Sequence, residues 1–540
     1  MRAVVISVIT ALGLLVAIPG AAVAEPEAID WEPCYQQAGP NFECAVVRLP
    51  LDHDEPGGTS IPIAVAKLSA TDPENRIGSL FLNPGGPGGS GVDFLLGAGP
   101  VLFTDEVRSQ FDLIGFDPRG VRRSAPLKCF RSFGDLAGLS GPPFPINEAE
   151  YLLMEAVDMA AVELCDANAR SIIDHMSTAD VARDMDALRE MLGDEQMTYF
   201  GVSYGSFLGN TYANLFPDNV RAVVIDAVLD PIAWTTGAAG EEGYPFSYRL
   251  RSDQGAQDTL DEFFRLCDEA GTAGCALAPD SGARFAALAD QLLNDGPIFV
   301  DPGSGELVPF FYQDLIGSTL GPLYNSASWP SHAEFLAFIE AGASPAVLGE
   351  ALTRVRELSG SFDFPNAPYP GFEQFLGVSC SDSDNPDDHA AWFAAGQDAD
   401  ANYGYFGSLW TWASGPCAVW NGVADDRYVG PFDAATANPV LVVGTRYDPA
   451  TRYEGAVIAD DLLANSALLT VEGWGHTSLF LSQCADEAIA AYLVDVTVPD
   501  DGATCFQDFG PFDTALSAND LARQEFRAQM MQQIALHPGR

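Results

Sequence analysis

Gly201-Val202-Ser203-Tyr204-Gly205 constrains the fold more than any other stretch of this chain. It follows an apolar run at 197–202 and precedes a segment at 206–215 that reads as a helix. One serine between two glycines at a strand-to-helix junction predicts a sharp turn that lifts its Oγ off the end of a sheet. The glycines answer a steric demand, because strand and helix cross too closely there for side chains. A nucleophilic serine then needs a base, and the base needs an orienting group.

The rest of the chain supplies the sheet. Eight strands are expected, at 44–51, 61–68, 78–83, 111–117, 197–202, 220–228, 439–444 and 467–471. The first two form an antiparallel entry hairpin around the turn-rich 52–60, and the others alternate with helices. Apolar strands between helices predict a mostly parallel sheet covered on both faces. The helix at 179–192 places Val181, Met185, Leu188 and Leu192 on one face, with Ser177 or Thr178 as its cap. Further helices are expected at 454–463 and 483–493.

Between 231 and 438 the alternation disappears. Helical patches at 260–267 and 283–293 lie among scattered aromatics, glycines and prolines, which reads as a mainly helical cap inserted into the core. The expected organisation is a signal peptide (1–24), a first core part (25–230), the cap or lid (231–438), a second core part (439–505) and a polar tail (506–540) with a helix at 518–533.

The leader has Arg2, an apolar core at 4–18 and Ala22-Val23-Ala24, the pattern of a cleavable secretory signal rather than a membrane span. No later stretch reaches the length of a membrane helix, so the mature chain is expected to be secreted, with no integral membrane segment. Ten cysteines fit that compartment, and in order they fall into five consecutive pairs, each enclosing a local loop. Sequential disulfides are the preferred reading, with other connectivities open. There is no Cys-x-x-Cys or His-Glu-x-x-His, which argues against a metal site. With 75 acidic and 26 basic residues, nucleic acid and anionic membranes are poor partners. The charge serves solubility, as in a salty medium, or attracts cationic substrates such as peptides with free amino ends.

Of six histidines, only His476, in Gly473-Trp474-Gly475-His476, follows a core strand; His53, His175, His332, His389 and His537 do not. Asp448 lies just beyond the strand at 439–444 and is the expected orienting acid, with Asp226 and Asp230 as backups. Two N–H groups should face a developing oxyanion: that of Tyr204, and that of Gly86 in the loop Pro84-Gly85-Gly86-Pro87-Gly88-Gly89-Ser90-Gly91. The loop also satisfies G-x-G-x-x-G, with Asp117 ending the next strand, as in a dinucleotide site. Pro87 lacks an N–H for a pyrophosphate, and that reading leaves Ser203, Asp448 and His476 without a role. The order Ser203, Asp448, His476 is that of an α/β-hydrolase.

Taken together, Asn83–Gly91, the run from Phe111 to Gly120 (FDLIGFDPRG), Ser177-Thr178-Ala179-Asp180, the elbow, Gly444 to Thr451 and Gly473 to His476 resemble the secreted tripeptidyl aminopeptidases of actinobacteria. These are α/β-hydrolases related to proline iminopeptidases. The resemblance implies a serine exopeptidase acting near the free N-terminus of peptides, with no cofactor. It departs at Val121-Arg122-Arg123-Ser124, where a glycine is expected near 122. Glu241 and Glu242, early in the cap, are candidates for the substrate's ammonium group. An esterase or lipase on the same scaffold, or a non-catalytic binding protein of this fold, are the alternatives. Substrate length and oligomeric state are not readable from the sequence.

Overall fold

Successive residues of the central strands feed two different cores. Along Val440–Tyr447, Val440 and Val442 pack with Tyr199, Val223 and Ile225, while Leu441 and Val443 pack with Leu82, Phe200 and Val224. A strand points alternate side chains to opposite faces, so an apolar run without polar interruption demands cover on both. The computed structural model describes residues 28–37, 39, 41–131, 139, 141–300, 308–341, 373–514 and 516–534. The leader at 1–24 and His537 lie outside the described residues.

Numbered along the chain, the strands are β1 (Glu32–Pro33), β2 (Phe42–Pro50), β3 (Ser60–Leu68), β4 (Gly78–Asn83), β5 (Phe111–Phe116), β6 (Met197–Val202), β7 (Val220–Asp226), β8 (Ile298–Val300), β9 (Val308–Phe310), β10 (Val440–Tyr447), β11 (Ser466–Trp474) and β12 (Ala503–Phe506). Ten of them form one sheet in the order β1-β2-β3-β5-β4-β6-β7-β10-β11-β12. β1, β2, β3 and β5 pair antiparallel, and every pairing from β5 to β12 is parallel. All eight expected strands are present. The two additional ones are short edge strands of two and four residues. They are too short to show a period in the sequence.

β7 pairs directly with β10, so the chain leaves and re-enters the sheet at adjacent strands. The segment between them contributes helices, among them Ser252–Gly274, Ser281–Asn294, Tyr312–Leu323, Trp329–Glu340 and Gln374–Asp382, and the small hairpin β8–β9. The helix Thr178–Leu192 begins with the Ser177 Oγ accepting from Asp180 N–H and ends at Gly193, with φ 80°. A last helix, Ala518–Ile534, buries Met530, Met531 and Ile534 in the core beside the helix Gly91–Ala98.

The five disulfides are sequential: Cys34–Cys44, Cys129–Cys165, Cys267–Cys275, Cys380–Cys417 and Cys484–Cys505. The first and last tie down the edges next to β1 and β12. Among the described residues no helix is long and apolar enough to cross a membrane.

Candidate active site

Ser203 stands between β6 and the helix Tyr204–Leu215, with φ 60° and ψ −127°. That conformation is costly for a residue with a Cβ, on the order of 1–3 kcal/mol, and persists only where the surroundings over-determine it. Here Ser203 N–H donates to the Asp226 carbonyl at 3.0 Å, and Ser203 O accepts from Ser206 N–H at 2.8 Å and from Ser206 Oγ at 2.5 Å. The flanking glycines are sterically required. A Cβ on Gly201 would lie 2.3 Å from Tyr199 Oη and 2.5 Å from Gly205 O. A Cβ on Gly205 would lie 2.9 Å from Asn83 O, on the neighbouring strand β4.

Asp448 follows β10 and is 1% exposed. Its Oδ1 accepts from the N–H groups of Ala450 and Thr451, both at 2.9 Å, and its Oδ2 accepts from Thr451 Oγ1 at 3.0 Å. The same two oxygens each lie 2.9 Å from His476 Nδ1. Asp448 is thus a turn residue and a histidine partner at once. The backup acids are engaged elsewhere. Asp226 accepts from Ser478 N–H and Oγ, each at 2.9 Å through Oδ2, and burial pushes its carboxyl up to about 6. Asp230 accepts from Ile232 and Ala233 N–H at the start of the helix Pro231–Trp234. Of the three carboxylates, only Asp448 hydrogen-bonds the His476 ring.

Gly86, Ser203, Tyr204 and His476 line one cleft of about 630 Å³, counted out to its mouth. Gly85 packs against the elbow: a Cβ there would lie 2.5 Å from Val202 O and 2.8 Å from Ser203 Cβ. The glycine loop is thereby held beside the serine, with Gly85 N–H donating to Asn83 Oδ1 at 2.8 Å. Asp117, which a ribose would need, is buried and used by Ser90 Oγ, Val92 N–H and the Arg123 guanidinium. The loop therefore serves the elbow and not a dinucleotide.

Among the described residues, no histidine besides His476 lines the cleft. His53 Nε2 is 2.9 Å from Asp184, which also pairs with the buried Arg119. His332 is buried among Phe263, Phe335 and neighbouring apolar groups, and burial holds its imidazole down at about 3. His389 stacks on Trp412.

Four contributions to this site carried no signal in the sequence. Tyr324, from the segment after β7, lines the cleft, packs its ring 5.1 Å from that of His476 and accepts His476 N–H on its carbonyl at 3.0 Å. Asp382 accepts from Thr178 N–H at 2.8 Å, Thr178 Oγ1 at 2.6 Å and Trp234 Nε1 at 3.2 Å. Thr178 Oγ1 in turn lies 2.5 Å from Tyr204 Oη. A carboxylate from the inserted segment thus braces the residue after the serine. Ile534 and Arg527, from the last helix, reach the cleft and the His476 loop.

Glu241 and Glu242 are not brought to the cleft. Glu241 accepts from Ala238 N–H and lies 3.8 Å from Arg251, and Glu242 accepts from Gly240 N–H. Both serve a surface turn, because their segment ends before the wall formed by Phe246, Ser247 and Leu250 begins. The cleft walls are instead mostly apolar and aromatic: Trp234, Phe246, Tyr324, Phe375 and Trp410.

The sequence model of a family described as "TAP-like protein" matches residues 402–505, and one described as "alpha/beta hydrolase fold" matches residues 78–244. Serine protease Hip1 of Mycobacterium tuberculosis is 31% identical over 506 residues, spanning 90% of this chain and 93% of that protein. The chain belongs to the TAP-like α/β-hydrolases. Carboxylesterase B of Mycobacterium tuberculosis is similar at 32% identity over 507 residues, covering 90% of this chain and 91% of the relative. Tripeptidyl aminopeptidase of Streptomyces lividans is similar at 29% over 508 residues, covering 90% and 89%. This TAP-like hydrolase is therefore an enzyme. The glycine expected near 122 also finds its reason: Arg122 has φ 45°, a backbone conformation glycine adopts at no steric cost.

Proposed function

We propose that the chain is a secreted serine exopeptidase that hydrolyses peptide bonds near the free N-terminus of peptides, like a tripeptidyl aminopeptidase. The observation that carries this reading is the Asp448–His476 pair, with Nδ1 2.9 Å from both carboxylate oxygens, on the cleft that also holds Ser203. Names of relatives, a serine protease and a tripeptidyl aminopeptidase, support the substrate class. Five disulfides support an oxidising compartment.

In this reading Nδ1–H points to Asp448 and leaves Nε2 as the base. His476 takes the proton of Ser203 Oγ as the oxygen attacks the scissile carbonyl. The N–H groups of Tyr204 and Gly86 receive the oxyanion. His476 then gives its proton to the leaving amine, which departs and leaves an acyl-Ser203. Water, deprotonated by the same imidazole, attacks the ester and releases the acid. Asp448 keeps the tautomer and stabilises the imidazolium between these steps.

A second reading, a carboxylesterase, has its own support: among the described residues the cleft is lined mostly by aromatic and apolar groups and by no carboxylate, and Carboxylesterase B is among the relatives. Incubation with free peptides, amino-blocked peptides and simple esters, with products identified by mass, separates the two. Release of short N-terminal fragments from free peptides alone supports the exopeptidase. Equal turnover of blocked and free peptides, or turnover of esters only, rejects it. A fluorophosphonate that fails to label Ser203 rejects that residue as the nucleophile.

A further inference from the structure

The loop that carries His476 is strained and needs an external clamp. Gly475, Thr477 and Phe480 have φ of 121°, 67° and 58°. A β-branched residue at positive φ is an outlier that surrounding contacts must impose. One side of the loop is held by Asp226, which binds Ser478 N–H and Oγ. The other side is held by Arg527, in the helix Ala518–Ile534. Its Nη2 donates to His476 O at 2.9 Å and Thr477 O at 3.2 Å, and its Nη1 to Leu479 O at 2.7 Å. The guanidinium also sits against Gly475, where an added Cβ would lie 3.0 Å from Nη2.

Arg527 is 1% exposed. Burial of its charge pulls the group down to about 10, against the attraction of Asp226 and Asp448. Burying a guanidinium is costly, and packing alone could be met by an apolar side chain. What an apolar side chain cannot do is bind three carbonyls of one loop in a fixed plane.

We propose that Arg527 is a positioning residue for His476: its fork over the carbonyls of His476, Thr477 and Leu479 fixes the imidazole against Ser203, making the C-terminal helix part of the active site. This rests on His476 being the base. The full-length protein is tested as Arg527→Gln, Arg527→Lys and Arg527→Ala, with Ser203→Ala and His476→Ala as controls. Turnover of p-nitrophenyl acetate and the rate of fluorophosphonate labelling are measured per folded molecule, the folded fraction being set by circular dichroism and melting. The expected result for Arg527→Gln is a kcat lower by about 10²-fold, the size of a small misplacement of a catalytic group, with little change in KM. Arg527→Lys should fall between it and wild type. Added guanidinium should restore part of the Arg527→Ala turnover and none of that of His476→Ala. Wild-type kcat per folded Arg527→Gln molecule overturns the proposal, as does a change confined to KM. If the glutamine variant does not fold, wild-type kcat in Arg527→Lys overturns it instead. If Ser203→Ala is still labelled at wild-type rate, the triad reading fails whatever Arg527 does.

Discussion

Asp448 places both carboxylate oxygens 2.9 Å from His476 Nδ1 while also capping its own turn through Ala450, Thr451 and the Thr451 hydroxyl. One side chain thereby fixes both the loop after β10 and the ring after β11. Asparagine at 448 keeps an acceptor for the turn but presents an amide to Nδ1. Asp448→Asn should therefore melt close to wild type and lose about 10⁴-fold in kcat, as loss of the orienting acid does in such triads. Asp226→Asn is the comparison. A larger kcat loss in that variant would assign the role to Asp226.

The brace from Asp382 through Thr178 to Tyr204 makes a distant threonine matter to the site. Thr178→Val strands the Tyr204 hydroxyl and one bond of Asp382 in the core. The expected cost is about 1–3 kcal/mol in urea unfolding. A lower kcat should accompany it, because Tyr204 N–H is an oxyanion donor in the proposed mechanism. Thr178→Ser should restore both quantities.

His332 is buried with neither ring nitrogen hydrogen-bonded. Its folded value of about 3 lies below the ordinary 6.5, so between those values the unfolded chain binds the extra proton. The resulting stability is whole above about pH 6.5 and is lost as pH falls toward 3. Asp226 and Asp382, each pushed up to about 6 by burial, act in the opposite sense, since their folded forms hold the extra proton between 3.8 and 6. The difference between wild type and His332→Phe isolates the imidazole. The variant should be more stable at pH 7 by about 1–3 kcal/mol, from removal of an unpaired polar group. Its advantage should widen on acidification. Parallel melting-temperature curves from pH 7 to 4 would refute this.

Arg122 holds φ 45° at an exposed turn, with Asp93 3.8 Å away as its ion-pair partner. An exposed pair contributes little, whereas left-handed backbone costs a residue with a Cβ about 1–2 kcal/mol. Arg122→Gly should therefore leave the melting temperature unchanged or raise it slightly, since glycine's greater unfolded-state freedom offsets part of the gain. A clear drop in scanning calorimetry would show that the guanidinium holds the turn.

Ile534 is a wall of the cleft supplied by the last helix. Ile534→Ala enlarges a pocket without touching Ser203, Asp448 or His476. Relative kcat/KM for small and bulky acyl groups should shift by roughly tenfold toward the bulky ones, the scale of a few methylenes in an apolar site. Unchanged ratios across an acyl series would place the substrate on another wall.

Much of this site was legible because its signals are local. The elbow shows itself by two glycines around a serine, and the structure gives each glycine a steric reason within a few residues or on the next strand. Asp448 and His476 were readable from their place just past apolar strands. The choice among Asp448, Asp226 and Asp230 was less secure from sequence, since all three end strands. What separates them is where each carboxylate's hydrogen bonds go. Glu241 and Glu242 do not line the cleft, for the opposite reason. Adjacent acids in a glycine-rich turn satisfy their own backbone, and nothing local says how far they lie from the serine.

The sequence by itself determined the alternation of strand and helix, the order of Ser203, Asp448 and His476 along the chain and the two glycine-bearing turns, and it favoured sequential pairing of the cysteines. Each is set by residues close in the chain, where periodicity and backbone sterics act. The tertiary structure alone decided which walls the cleft has. Tyr324, Asp382, Arg527 and Ile534 come from segments whose own patterns show only amphipathic or polar helices. A helix's period tells which face it buries, and only the packed chain tells against what.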